Sequence, residues 1–141
     1  MSFPIPNYSR NQVKRAGALL IANNAMEDID KWLESFLILS NWRACHGYPI
    51  NTFQATLRTK LKNIDADSLV AQRLKRTPSI LNKLKRFPGM NLSRMQDIGG
   101  LRAVVSTLPK LNQLYENYQK TTFTHELVSQ YDYVSSPKPS G

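Results

Sequence analysis

The chain holds a single cysteine, Cys45, so no disulfide can close within it and no thiolate cluster can bind zinc. A reducing setting is the expectation. Its two histidines, His46 and His125, stand far apart with no H-E-x-x-H between them, which argues for surface or satisfied core histidines over metal ligands. Long apolar runs are missing too. Lys14-Arg15 followed by A-G-A-L-L-I-A resembles a leader only superficially, because the apolar run is short and amphipathic sequence continues directly. Nothing approaches the ~20 apolar residues of a membrane span. A soluble, cytoplasmic protein without a membrane partner is expected. Internal repeats and low-complexity tracts are absent. Acidic residues are scarce: 10 Asp+Glu stand against 19 Lys+Arg, a net charge of +9, which favours polyanionic partners such as nucleotides or nucleic acid.

What is present suffices for one folded domain of 141 residues, which buries ~70% of its unfolded surface. Ser9-x-x-Gln12 has capping-box spacing and predicts a first helix to about Ala22. Asn24-x-x-Glu27 predicts a second, with Met26, Ile29, Leu33, Phe36 and Leu37 as its apolar stripe and Gly47 and Pro49 as its end. Asn51-x-x-Gln54 predicts a third, with Phe53, Leu57, Leu61 and Ile64 inward and Arg58, Lys60 and Lys62 away from them. Trp32 and Trp42 are expected as core anchors. From Ser68 the pattern changes. L-V-A-Q-R-L-K-R reads as a strand, Thr77-Pro78 as an N-cap and first helical position, and Pro88-Gly89 as that helix's end. I-G-G-L-R-A-V-V-S-T reads as a buried strand, Pro109 opens a helix with Leu111, Leu114, Tyr115 and Tyr118 inward, and F-T-H-E-L-V reads as another strand before a polar end. The sum is an α+β domain with helices flanking a sheet: an N-terminal helical region, 1–66, packed on a core of 67–141.

The charge is uneven: nine of the 19 basic residues fall between Arg58 and Arg86, against Asp65 and Asp67. On a strand, Arg73 and Lys75 project from one face. On the following helix Ser79 and Lys83 share a stripe that extends to Arg86, and Ser79 sits in the first turn, where free amides attract anions. These groups can converge as a triphosphate cradle; alternatively Ser79 assists capping and the cations solvate a face. Asp97, a lone carboxylate before a strand, supplies what such a cradle lacks, because Mg²⁺ bound with a nucleotide needs only one or two carboxylates. Its alternative role is turn formation. Asp97 and Arg102 differ in strand parity and would face opposite sides, unless a bulge at Gly99-Gly100 resets the register. Tyr131, Tyr133 and Lys138 combine aromatic surface with positive charge near the end of the chain.

Three motifs in these residues resemble the synthetase domain of the RelA/SpoT family of alarmone synthetases. R-x-K-x-x-x-S-x-x-x-K is met by Arg73, Lys75, Ser79 and Lys83; D-I-x-G-x-R is met from Asp97 through Arg102; and D-Y-I-x-x-P-K-x-N-G-Y is met by Asp132-Tyr133-Val134, Pro137-Lys138 and Gly141. The resemblance covers about half the chain, Arg73 to Gly141. It implies a nucleotidyltransferase-like mixed sheet flanked by helices, and transfer of the β,γ-pyrophosphate of ATP to the 3′-hydroxyl of GDP or GTP, giving (p)ppGpp. By the same carry-over Arg73 contacts adenine, Lys75, Ser79 and Lys83 bind the phosphates of ATP, Asp97 is the catalytic ligand of Mg²⁺, and Lys138, with Tyr131 beside it, serves the acceptor.

The chain departs from the family pattern at Tyr131, where a basic residue is common, and at Ser140, where Asn is usual. It also ends at Gly141, where the family continues with a Tyr, a His and a further catalytic Glu. Residues 1–141 alone are therefore expected to be inactive and to belong to a longer synthetase. No H-D pair of an upstream hydrolase domain occurs, so the resemblance is to the short, synthetase-only group. N-W-R-A-C-H-G-Y-P-I-N-T-F-Q resembles a subgroup with toxin-like relatives, some of which pyrophosphorylate the 3′ end of tRNA, and the basic charge suits tRNA as an alternative acceptor. A third possibility is a non-catalytic basic module that binds RNA or a protein. Nothing in the sequence sets an oligomeric state.

Overall fold

The computed structural model describes residues 2–123 and 125–138. In chain order come α1 (Arg10–Leu20), α2 (Ile29–Ala44), α3 (Gly47–Ile64), β1 (Leu69–Leu74), α4 (Thr77–Arg86), a 3₁₀ turn (Leu92–Arg94), β2 (Gly99–Val104) and α5 (Leu108–Lys120). Ser140 and Gly141 lie outside the described residues. No helix among those described is long and apolar enough to cross a membrane.

The first helix opens as its capping box predicts. The Gln12 amide donates to Ser9 Oγ at 3.1 Å, and the Ser9 amide donates to Gln12 Oε1 at 2.8 Å. The second begins later than expected, because Asp28 rather than Asn24 is its N-cap and accepts from the Lys31 amide. Its buried face differs as well. Ser35, Ile38 and Leu39 are buried, with Trp32, Phe36 and Trp42 packed against them, while Met26, Ile29, Leu33 and Leu37 are exposed. α2 is apolar on two sides, and α1 packs against only one of them.

α3 starts at Gly47, so Gly47, Tyr48 and Pro49 form its first turn instead of ending α2. Proline is tolerated there because amides in the first turn have no helical partner. Leu57 and Leu61 are buried as expected. Lys60 is not a free surface charge: its ammonium donates to Asn117 Oδ1 and Thr121 Oγ1, both at 2.6 Å, and ties α3 to α5. In α4 the N-cap is Arg76, not Thr77, and Pro78 lies within the first turn. Leu114 of α5 is buried and Tyr118 half-buried where the helix packs on α3 and the sheet, but Leu111 and Tyr115 are exposed.

The sheet among the described residues is two-stranded and antiparallel, not mixed, because F-T-H-E-L-V forms no strand there. β1 pairs with β2 from Leu69↔Val104 to Leu74↔Gly99 in unbroken register, so no bulge interrupts Gly99-Gly100. β2 alternates strictly between half-buried and exposed residues, where a buried strand was expected. Val70, Leu101 and Ala103 face Leu57, Leu61 and Leu114 in one apolar cluster, and Leu74 joins a second built on Val13, Ala16, Leu39, Ile80, Leu84, Leu92 and Ile98. Leu69, Ala71, Arg73, Gly100, Arg102 and Val104 form the opposite, outer face. Two glycines permit the close approaches. A Cβ on Gly17 would lie 2.8 Å from Leu92 Cβ, and one on Gly99 would run into the Ile50 side chain.

A buried carboxylate fastens the junction below the sheet. Asp65, 2% exposed, accepts from the Ser106 amide at 2.8 Å, the Ser106 hydroxyl at 2.7 Å and the Asp67 amide at 3.1 Å, with the Lys110 ammonium at 3.5 Å. These bonds, the Ser106 amide foremost, outweigh the opposing effect of burial and lower its pKa from 3.8 to about 2. The α3–β1 loop is thereby joined to the β2–α5 turn.

Candidate functional site

The end of β1 is held on both sides of its backbone. The Lys75 amide donates to the Ile98 carbonyl at 2.6 Å, which prolongs the ladder by one bond, and the Lys75 carbonyl accepts from Arg43 Nε at 2.7 Å. The Lys75 side chain leaves this clamp toward Asp97, its ammonium 3.0 Å from Oδ2. From α4, anchored by Ile80 and Leu84 at 0% and 2% exposure, Lys83 reaches the other oxygen, Oδ1, at 2.8 Å. Asp97 thus carries one ammonium on each carboxylate oxygen.

Its position follows from its neighbours. Met95 and Ile98 are buried, which pins the backbone and leaves Asp97 at the rim with 49% of its side chain exposed. Partial burial raises the Asp97 pKa, but the hydrogen bonds and charges of Lys83 and Lys75 prevail and hold it below the ordinary carboxylate value. The carboxylate lies on a ridge between two open clefts. One, of about 390 Å³, is lined by Arg73, Lys75, Arg102, Ala71 and Gly100; the other, of about 780 Å³, by Lys83, Arg86, Arg94, Phe87 and Met90.

The outer face of the sheet has a definite shape beside this ridge. Arg73 pairs with Gly100 and Ala71 with Arg102, so two guanidinium side chains stand at diagonal corners and two small residues form the floor. No atom lies within 4 Å of a Cβ built on Gly100. Such a slot can accept a flat ring between cationic planes.

Of the residues picked out in the sequence, the structure brings Lys75, Lys83 and Asp97 into contact and sets Arg73 on the wall of the same cleft as Lys75 and Asp97. Ser79 is half-buried in the first turn of α4, one helical turn before Lys83, and no hydrogen bond involves its hydroxyl among the described residues. Tyr131 and Tyr133 stack at 5.7 Å with nearly parallel rings, and the Lys138 ammonium lies 5.8 Å from the Tyr133 ring centre. All three are exposed. Gln130, just before them, bonds to Tyr115 and Gln119, so this segment is held along α5 and not by the Lys75–Asp97–Lys83 cluster.

In the sequence, Arg102 falls in a motif without its partner across the sheet, and Arg43 was missed. Arg102 shares a face with Arg73, which depends on strand register, and Asp97 joins them without a bulge because it precedes the ladder. Arg43 supports Lys75 from 32 residues away, a relation without periodicity. For a divalent cation, the described residues contain no group of three or more His, Cys, Asp or Glu side chains. A single rim carboxylate fits a cation that draws its other ligands from phosphate and water.

The chain matches no protein-family model, and no curated protein matches it.

Proposed function

We propose that this domain binds ATP with Mg²⁺ and transfers its β,γ-pyrophosphate to the 3′-hydroxyl of GDP or GTP. The observation that carries the reading is the convergence of Lys75 and Lys83, from two separate elements, on Asp97 at the edge of an arginine-walled slot. The motif resemblance assigns roles to these same residues.

In this reading adenine lies over Ala71 and Gly100 between Arg73 and Arg102. Lys75, Lys83 and the Ser79 hydroxyl, with the amides that open α4, hold the triphosphate. Asp97 would hold Mg²⁺, which when bound neutralises charge on the transferred oxygens. The acceptor 3′-hydroxyl loses its proton to solvent as its oxygen bonds to the β-phosphorus, the β-phosphorus separates from the α,β-bridging oxygen, and AMP departs with the bridging oxygen. Pyrophosphoryl transfer asks mainly for positioning and charge neutralisation, and a rigid cluster of cations serves both. The Tyr131–Tyr133 step with Lys138 offers a stacking surface and a charge for the acceptor.

The tRNA-directed alternative draws on one further observation. Beyond Lys75, Lys83 and Lys110 no lysine or arginine pairs with a carboxylate among the described residues, and Arg58, Lys62, Arg76, Lys85, Arg86, Arg94 and Arg102 are exposed. That surface suits a polyanion much larger than a nucleotide.

Equilibrium binding of a fluorescent ATP analogue with Mg²⁺ tests the donor site. Lys83→Met and Arg73→Ala should each weaken it by about tenfold, near the value of one charge-assisted contact. Unchanged affinity in both variants would sink the donor assignment. Transfer is read with γ-labelled ATP and the protein: label on GDP or GTP supports the main reading, and label only on tRNA assigns the alternative. ATP-independent RNA binding that survives Asp97→Ala would favour a non-catalytic module.

A further inference from the structure

We infer that Lys75, Asp97 and Lys83 form a self-neutralising latch, so that the site takes a divalent cation and a polyphosphate as a pair and resists either alone. This rests on the donor-site reading above and adds a rule for how that site is filled. Both oxygens of Asp97 are engaged, Oδ2 by Lys75 at 3.0 Å and Oδ1 by Lys83 at 2.8 Å. A cation arriving alone meets a carboxylate whose charge two ammonium groups already offset, and among the described residues no other acidic side chain lines either cleft to compensate. A polyphosphate arriving alone must draw both lysines away from Asp97 and then lie beside the carboxylate it has uncovered. When both arrive, the phosphates take the lysines and the carboxylate takes the cation, so no member of the triad is left without a partner of opposite charge.

The triad is built to exchange partners in place. Lys75 is fixed through its backbone by Ile98 and Arg43, and Lys83 through a helix whose neighbours Ile80 and Leu84 are buried, so only the ends of two side chains need move. Lys75 opens onto the smaller cleft and Lys83 onto the larger, with Asp97 lining both. Reciprocity requires that cation and polyphosphate raise each other's affinity by one common factor.

The distinguishing consequence is a change of sign on removing the carboxylate. Asp97→Asn keeps the shape of the rim residue but frees both lysines and removes the repulsion. Inorganic tripolyphosphate, titrated calorimetrically into the 141-residue chain without divalent cation at fixed ionic strength, should bind Asp97→Asn about fivefold more tightly than wild type, as two half-exposed ion pairs suggest. With saturating Mn²⁺ the order should reverse, wild type binding more tightly by about tenfold. A second variant approaches from the other side. Lys83→Met should bind Mn²⁺ alone, followed by its electron spin resonance, about threefold more tightly than wild type. Lys85→Met, which removes the same charge from the same helix outside the triad, should not.

If Asp97→Asn is equal to or weaker than wild type without metal, or Lys83→Met and Lys85→Met behave alike, the latch is refuted while the polyphosphate site stands. If wild type binds tripolyphosphate under neither condition, the site itself and the latch with it are refuted.

Discussion

Adding one methyl group at Gly99 and the same group at Gly100 should have opposite consequences. Gly99 faces α3 from the inner side of β2, and a Cβ there would run into Ile50, its Cγ1 only 2.9 Å away, with His46 Cβ at 3.5 Å. Because Ile is branched at Cβ and has one favoured χ1 in a helix, Cγ1 cannot swing clear at little cost. Either Ile50 leaves its rotamer or β2 separates from α3. Overpacking of this kind costs about 1–3 kcal/mol. Against it stands a gain of about 0.4–1 kcal/mol, because alanine restricts the unfolded chain and Gly99 has no left-handed backbone to relieve. The net destabilisation for Gly99→Ala is about 1.5 kcal/mol. With a urea m-value of about 2 kcal/mol/M, the unfolding midpoint should fall by ~0.75 M, followed by the fluorescence of Trp32 and Trp42. In an Ile50→Ala background only the gain remains, so the same substitution should stabilise slightly, and the double-mutant cycle should return a coupling of about 2 kcal/mol, the whole overpacking cost. Gly100→Ala points into open space on the outer face and should be neutral or stabilising by a few tenths of a kcal/mol. It should nonetheless weaken ATP binding, since its methyl group would stand on the floor between Arg73 and Arg102. Equal midpoints for Gly99→Ala and wild type, or a failure of Ile50→Ala to rescue, would refute the argument.

Two further expectations rest on other parts of the fold. Asp65 has its pKa lowered from 3.8 to about 2 by Ser106 and its other donors, so its contribution to stability is complete above about pH 4 and lost as the pH falls through 2. Acid titration of wild type against Asp65→Asn should show a stability difference that shrinks across that window; a difference independent of pH would mean the charge of Asp65 contributes nothing. Arg43→Met should uncap the Lys75 carbonyl at a cost of about 1–2 kcal/mol, and should weaken MgATP binding several-fold by loosening the clamp under Lys75. Full MgATP affinity in a folded Arg43→Met protein would show that the clamp does not position the lysine.

The local chemistry of several elements was legible in the chain itself. Ser9 and Gln12 define a helix start by their own hydrogen bonds, and Leu57 and Leu61 recur on one face whatever lies opposite. The pairing of Arg73 with Lys75 on one strand face and of Ser79 with Lys83 on one helix stripe was visible as spacing, because strand parity and the i, i+4 relation are properties of single elements. Tertiary structure decided whatever depends on a second element. α2 offers two apolar sides, and contact with α1 selects Ile38 and Leu39 over Leu33 and Leu37. Whether Gly47 and Pro49 end one helix or begin the next depends on packing, since both residues are admissible at either place. The common face of Arg73 and Arg102 exists only once β1 and β2 pair in register, and a shift of one residue would have put them on opposite faces. Arg43 reaches the Lys75 carbonyl only because α2 ends beside β1. The sequence alone determined which charges the site contains; the pairing of strands and packing of helices decided that two lysines close on one aspartate, which a one-dimensional pattern cannot encode because the distance between elements is set by what fills the space between them.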